Sequence, residues 1–287
     1  MPDANIQHFH DAPTGTLSYV VADPLTSKAA VIDPVLGFSV VSGRTDTNQA
    51  DVICQYLEDN KLELEWILET HAHADHLSAA QTLKSRLGGK VAIGGGIRKV
   101  QEHFASLFNL KAPFRSDGSQ FDQLFSDGQV FRIGSIDCRV IATPGHTSDS
   151  VTYLAGSAAF VGDTLFMPDY GTARCDFPGG DAGLLYDSIQ TLFALPDDTT
   201  YYMCHDYPPQ GRELRYCVSI SEQRKSNIHI GAGRSRKDFV AMRQARDSTL
   251  SLPSLILPAI QINIRAGHLP AVEDNSVSYL KIPLDQL

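Results

Sequence analysis

The stretch Thr70-His71-Ala72-His73-Ala74-Asp75-His76 decides how this 287-residue chain is interpreted. It follows the apolar run Trp66-Ile67-Leu68, which predicts a β-strand, so three imidazoles and a carboxylate enter the loop at the end of that strand. Nitrogen and oxygen donors at this density favour Zn, Fe or Mn over Ca or Mg. A solvated, histidine-rich turn is the simpler interpretation for one or two histidines. Four donors packed so closely indicate a metal site instead.

Three later predicted strands also end beside metal-binding side chains. These donors are His146 after 136–142, Asp163 after 158–161 and His205 after 200–203. A lone aspartate after glycine is more often a turn residue. Three such strand ends, all behind the first loop, predict one metal site assembled from several loops.

Composition is typical of a globular protein, with 43% hydrophobic and 20% charged residues. No apolar run approaches the ~20 residues of a membrane helix, and residues 1–5 show no signal-peptide or transit-peptide pattern. Five scattered cysteines without a Cys-x-x-Cys pair indicate reduced thiols. A net charge of −9 argues against a nucleic-acid partner. We therefore expect a cytoplasmic protein that binds neither membrane nor nucleic acid.

The charge is uneven along the chain. Residues 211–246 hold nine Lys or Arg against three acids. A solvated helical face explains most of these basic residues. A few of them are candidates for receiving an anionic small molecule.

Predicted strands and helices recur twice, over about residues 15–110 and 120–205. This repetition predicts an α/β (α+β) protein in which two β-sheets lie between outer helices. Residues 35–48 are predicted to form an irregular loop, and 200–203 the last clear strand. The predicted helices cover 49–60, 77–87, 97–108, 181–195, a segment opening near 221, and 236–246.

Together the motifs resemble the metallo-β-lactamase fold superfamily. The matching segments are 70–76, Pro144-Gly145-His146-Thr147, Gly162-Asp163-Thr164 and the late His205. The resemblance covers about residues 10–230 and implies an αββα sandwich with a metal site at one edge of the sheets. We therefore divide the chain into a catalytic domain, 1–230, and a C-terminal helical extension and tail, 231–287, packed on the same domain. Most members are hydrolases, and the fold alone does not define the reaction.

Further segments resemble the persulfide dioxygenase branch of that superfamily: 31–35, 171–177, 204–207 and 221–227. This resemblance implies a mononuclear enzyme that converts glutathione persulfide, O₂ and water to glutathione and sulfite. It also implies one Fe(2+) per chain, held by His71, His146 and Asp163. Four further side chains would orient these ligands, namely His73, Asp75, His76 and His205. Metal binding by Asp75 and His205 themselves stays open.

Glutathione carries two carboxylates, for which a bidentate arginine is the natural anchor. We expect Arg174 to be that anchor, with Arg224 and the Tyr207 hydroxyl as further substrate contacts. A solvated helical position is the competing interpretation of Arg224. Cys204, beside His205, is open as a ligand, as a reactive thiol or as a small buried residue.

Two other functions and one assembly stay open. A glyoxalase II-like thioester hydrolase would use the same loops to hold two metals and a bridging hydroxide, although 171–177 does not follow the run expected of it. A non-catalytic metal-binding or sulfur-sensing module would not need all seven donors. A homodimer is compatible with the sequence.

Overall fold

A computed structural model describes residues 4–286, so residues 1–3 and 287 lie outside it, including part of the N-terminal segment used to judge targeting. The strands are β1 (Asn5–Asp11), β2 (Thr16–Ala22), β3 (Lys28–Ile32), β4 (Val35–Ser39), β5 (Arg44–Asp46), β6 (Glu63–Leu68), β7 (Leu77–Ser78), β8 (Lys90–Gly94), β9 (Gln123–Phe125), β10 (Val130–Ile133), β11 (Ile136–Ala142), β12 (Val151–Ala155), β13 (Ala158–Phe160), β14 (Thr200–Tyr202) and β15 (Cys217–Ser219). The helices are α1 (Asn48–Asp59), α2 (Ala80–Leu87), α3 (Ile97–Leu107), α4 (Ala182–Phe193), α5 (Ile220–Ser226), α6 (Arg236–Asp247) and α7 (Ile256–Asn263), and Gly162–Thr164 forms a 3₁₀ turn.

Two six-stranded sheets form the centre of the molecule. Their strand orders are β1-β2-β3-β6-β8-β9 and β10-β11-β12-β13-β14-β15. The first sheet is parallel from β3 to β9, and the second is antiparallel except where β13 meets β14. This confirms the prediction of two sheets from the repeated strand and helix pattern.

The residues of β2 show why helices cover the outer faces of the sheets. Leu17, Tyr19 and Val21 belong to the core between the two sheets, which also contains residues of α4. Val20 and Ala22 point the other way, into a second core shared with α1, α2, α3 and α7. Because successive side chains of a strand face opposite sides, a strand buried on both faces needs a layer on each. The result is the αββα sandwich.

Four helix predictions agree with the structure within two residues, namely those at 49–60, 97–108, 181–195 and 236–246. The predicted cap of α4 is also correct, because the Asp181 carboxylate accepts a hydrogen bond of 2.7 Å from the backbone N–H of Leu184. The loop prediction for 35–48 was wrong, since β4 and β5 form a hairpin there. The helix predicted from Leu77 begins at Ala80, because Leu77 and Ser78 pair with β4.

The largest local error concerns α7, which is absent from the predicted helices. Pro258 lies in its first turn, where the backbone N–H that proline lacks has no helical partner. Ile256, Ile260 and Ile262 are buried and join the core beneath the first sheet. Strand β15, after the strand we took to be last, was also missed.

Within residues 4–286, no helix is both long and apolar enough to cross a membrane. The cytoplasmic location stays a prediction.

Candidate metal centre

Four loops that leave the sheets meet at one edge of the sandwich and bring the predicted ligands together. His71 follows β6, His146 follows β11 and Asp163 follows β13, and their ligand atoms all lie within 4.8 Å of one another. The distance from Asp163 Oδ2 is 4.0 Å to His71 Nε2 and 3.6 Å to His146 Nε2. The structure therefore assembles the predicted two-histidine, one-carboxylate triad.

Atoms of this triad fit a cation. In the part of the chain that the structure describes, His71 Nε2 and Asp163 Oδ1 are buried and have no hydrogen-bond partner. Buried polar atoms in proteins are normally paired. Burial and the neighbouring histidines also lower the pKa of His71, so its imidazole is neutral, as metal binding requires.

Both ligand histidines are oriented through Nδ1. His71 Nδ1 lies 3.0 Å from Thr70 Oγ1, whose own hydrogen goes to Asp33, so Nδ1 is the donor. His146 Nδ1 donates to the backbone carbonyl of Arg174 at 2.7 Å. With Nδ1 protonated in both rings, each Nε2 carries the lone pair that a metal needs.

Two buried acids hold the histidine loop from behind, and we assigned neither a site role from the sequence. Asp33 adopts a left-handed φ of 49° and accepts hydrogen bonds from the Thr70 N–H at 2.7 Å and from His73 Nε2 at 3.0 Å. Asp149 accepts from the Ala72 N–H at 2.8 Å. Burial lowers the pKa of His73, but the negative charge of Asp33 outweighs it and raises that pKa to about 10. The position of Asp33 directly after β3 was the available signal.

The remaining donors form a second group beside Asp163. His205 Nε2 lies 3.4 Å from Asp163 Oδ1 and 3.2 Å from Asp75 Oδ2. Burial and His73 lower the pKa of His76 to about 3, while burial opposes the charges of His205 and His76, which lower the pKa of Asp75 to about 2. A second cation is therefore geometrically open, as it was from the sequence.

Cys204 belongs to this second group. Its Sγ lies within 4.8 Å of ligand atoms of His73, His76 and His205, and its S–H points to Asp33 Oδ2 at 3.6 Å. Burial raises the pKa of this thiol, so it is neutral and a poor nucleophile. Of the three interpretations, the structure favours the buried residue over the reactive thiol.

The triad opens into a pocket of about 230 Å³. Aromatic side chains form its walls, and residues of the C-terminal extension form its rim. Its principal lining residues are Asp75, His146, Asp163, Phe166, Tyr170, Arg174, Phe177, Tyr207, Arg243, Arg246, Leu250 and Pro253. Larger surface grooves of about 560 and 640 Å³ contain none of the metal donors. The smaller pocket is therefore the one that leads to the candidate metal ligands.

Arg174 lines the pocket, but its guanidinium is already engaged. It forms a bidentate pair with Asp176, with both distances 2.6 Å, and donates to the Ser251 carbonyl at 2.6 Å. It also lies 4.8 Å from the centre of the Phe177 ring. Arg174 therefore holds the pocket wall together in this structure, and its role as the principal substrate anchor stays a prediction.

The structure separates the other two predicted substrate contacts. Arg224 is not among the lining residues, since it pairs with Asp197 at 2.5 Å and donates to carbonyls at the end of α4. Tyr207 lines the pocket and stacks on His205 with ring centres 5.6 Å apart. Burial raises the pKa of Tyr207, so its hydroxyl stays a donor. Arg224 therefore has structural partners away from the pocket, and the substrate contacts of Arg224 and Tyr207 both stay predictions.

Two basic residues that we did not single out line the pocket, namely Arg243 and Arg246. Arg243 is buried and paired with Asp247, whereas Arg246 is exposed on the rim, and no residue within 4–286 forms a hydrogen bond or ion pair with the Arg246 guanidinium. The basic excess of residues 211–246 was the signal, but which of nine charges reaches the pocket depends on how α6 packs.

An αββα sandwich with histidine and aspartate donors at one sheet edge places this chain in a class of metal-binding proteins. The profile of the Metallo-beta-lactamase superfamily matches residues 11–205, and the chain belongs to that superfamily. The predicted family and fold are thereby confirmed.

Individual relatives within the superfamily carry different names. The chain is 32% identical to human mitochondrial persulfide dioxygenase ETHE1, covering 88% of this chain and 84% of that protein. The crystal structure of ETHE1 from Myxococcus xanthus matches with a TM-score of 0.74 at 32% identity, covering 92% of this chain and 100% of that one. Glyoxylase B2 of Dictyostelium discoideum is more similar in sequence, at 49% identity over 99% of this chain and 98% of that protein. The chain is therefore homologous to ETHE1, while relatives with greater identity carry other names.

Proposed function

We propose that this protein is an iron(II)-dependent persulfide dioxygenase. It would convert glutathione persulfide, O₂ and water to glutathione, sulfite and two protons, which balances atoms and charge. The observation that carries the proposal is the triad of His71, His146 and Asp163, of which His146 and Asp163 line a pocket whose rim holds an arginine without a side-chain partner among residues 4–286. The homology to ETHE1 supports the same reaction.

The donor set suits iron(II). Two histidines and one carboxylate form the facial arrangement found in non-haem iron oxygenases. One Fe(2+) held by this triad would supply a redox-active centre with open coordination positions for the sulfur substrate and O₂. His73, held by Asp33, and His76 would keep the loop around His71 in place, while His205 and Asp75 line the side next to Asp163.

The pocket suits the persulfide end of glutathione. At about 230 Å³ it is smaller than the 300–1,000 Å³ typical of a complete ligand site. The sulfur would enter between the aromatic walls, and the charged ends of the tripeptide would stay at the rim. There the Arg246 guanidinium, which has no partner in the described part of the chain, can donate to a carboxylate, and the Tyr207 hydroxyl can donate a further hydrogen bond.

A binuclear thioester hydrolase is the second candidate. It is favoured by the buried donor atoms beside Asp163 that have no hydrogen-bond partner among residues 4–286, namely His73 Nδ1, Asp75 Oδ2, His76 Nε2 and His205 Nε2. The similarity to glyoxylase B2 points the same way. Two metals, held by the triad and by these further donors, would supply a hydroxide, which is the nucleophile of a hydrolase.

Oxygen consumption separates the two candidates. The protein is loaded with Fe(2+) and mixed with glutathione persulfide while O₂ uptake and sulfite are recorded. Hydrolysis of lactoylglutathione is followed in parallel. We expect O₂ uptake that depends on the persulfide, with one sulfite formed per O₂. Thioester hydrolysis without O₂ uptake would reject the dioxygenase in favour of the hydrolase.

A further inference from the structure

Asn263 joins the C-terminal extension to the metal-binding loop. Its side chain is buried at the end of α7. The amide donates to the carbonyls of His73 and His76, both at 2.8 Å, and its oxygen accepts from the Ser78 N–H at 2.8 Å. One side chain thus satisfies three backbone groups across the loop that carries the histidines.

Helix α6 contacts the other side of the metal centre. Arg243 is fully buried, pairs with Asp247 and donates to the Thr172 carbonyl at 3.0 Å. The second carboxylate oxygen of Asp247 accepts from the Cys175 N–H at 2.9 Å. The buried Arg243–Asp247 pair is therefore hydrogen-bonded to both ends of the segment 172–175.

That segment orients a metal ligand. The Arg174 carbonyl, between the two points held by α6, accepts the hydrogen bond from His146 Nδ1. The Arg174 side chain adds a third tie through the Ser251 carbonyl. A shift of this segment would rotate the imidazole or remove the hydrogen bond that presents Nε2 to the metal.

We infer that the C-terminal extension positions the ligands of the metal centre, with Asn263 holding the His71–His76 loop and the Arg243–Asp247 pair holding His146. All three residues lie beyond the superfamily match, which ends at residue 205. The inference rests on the metal centre and on neither proposed reaction, so its test measures metal binding and not turnover.

The first test compares two buried amides on α7. The metal-free protein is titrated with Co²⁺ against a chelator, and the visible absorption of the bound ion reports its geometry. Asn263→Leu removes the three hydrogen bonds to the loop and is expected to raise the Co²⁺ dissociation constant about tenfold and to shift the absorption.

Gln261→Leu is the matched control, because Gln261 is equally buried but binds Leu257 and Lys281 instead of the metal loop. It is expected to leave both readouts unchanged. Equal Co²⁺ affinity and equal spectra for the two variants would overturn the role of Asn263.

The second test removes the buried pair without leaving a lone charge. Arg243→Met/Asp247→Leu replaces both groups by apolar side chains, which avoids an unpaired buried ion and favours a folded protein. We expect the double variant to bind Co²⁺ more weakly and to give an altered spectrum. Asp247→Glu alone keeps the carboxylate and is expected to retain the Co²⁺ affinity and the spectrum of the parent. Asp187→Asn is the control. It breaks the exposed ion pair between Asp187 of α4 and Arg236, which lies on α6 like Arg243 and Asp247.

The double variant and its Asp187→Asn control also decide the inference if Asn263→Leu fails to fold. A folded double variant, judged by its thermal transition, that binds Co²⁺ like the parent would overturn the role of α6. Loss of Co²⁺ affinity in Asp187→Asn as well would reduce the effect to general destabilisation and would also overturn it.

Discussion

The floor and the rim of the pocket are built in different ways. The floor consists of donors at the ends of strands, within short motifs whose spacing is visible in the sequence. The rim comes largely from α6 and the segment after it, 69 to 79 positions beyond the wall at Arg174. The floor is therefore determined locally by strand ends, whereas the rim depends on how a distant helix packs.

The largest effect is expected at the floor. His71→Ala, His146→Ala and Asp163→Ala should each empty the site, because a triad with two ligands lacks the affinity to retain iron. His76→Ala should keep most of the metal. Iron per chain, measured by elemental analysis, should be about one in the parent protein. Two metals per chain, with loss of both in His76→Ala, would move the protein to the hydrolases.

At the rim, Arg246→Ala should lower kcat/KM for glutathione persulfide by roughly ten- to a hundredfold, mainly through KM, since a charge-assisted hydrogen bond is worth about 1.5–3 kcal/mol. Iron content should not change. Lys237→Ala is the control, because Lys237 is an exposed cation on the same helix and does not line the pocket. Equal kinetics for the two variants would show that Arg246 does not touch the substrate.

Arg174→Ala separates a structural role of this residue from the predicted anchor role. The Arg174 side chain is half-buried, but its partners Asp176 and Ser251 are exposed, so the loss of these contacts should lower the free energy of unfolding by about 0.5–1.5 kcal/mol. Urea unfolding of the metal-free protein measures this change. A variant as stable as the parent but with a strongly raised KM would identify Arg174 as the anchor.

A smaller effect concerns pH. Burial, with the charges of Arg243 and Arg246, lowers the pKa of His229 from 6.5 to about 4, and His229 Nδ1 accepts from the Thr172 N–H at 2.9 Å. A depressed pKa stabilises the fold above the unfolded value of 6.5, and this stability is lost as the pH falls toward 4. Solvent screening reduces the expected loss between pH 7 and pH 5 to about 1 kcal/mol.

Urea unfolding of the metal-free protein at the two pH values measures this loss. His229→Gln cannot titrate there and should lose about 1 kcal/mol less than the parent. An identical loss in both proteins would assign the acid sensitivity to other groups.

The sequence by itself indicated two sheets between outer helices and one metal site assembled from several loops, whereas the αββα sandwich and the ligand triad came from the family resemblance. Short β-prone apolar runs such as Tyr19-Val20-Val21 in β2 indicate a strand directly, and each donor follows a predicted strand, so the strand ends carry the donors to the sheet edge. The hairpin at β4 and the helix with Pro258 were missed because pairing with β7 and burial beneath the first sheet stabilise them.

Only the tertiary structure decided which arginine is free. Arg174, Arg224 and Arg246 are equivalent as letters in a sequence, each a cation in a polar segment. Their partners come from distant residues: Ser251 for Arg174, Asp197 for Arg224 and, within residues 4–286, none for Arg246. The same holds for Asn263, whose three hydrogen bonds span more than 180 positions. Such contacts follow from the packing of whole elements, which no local pattern encodes.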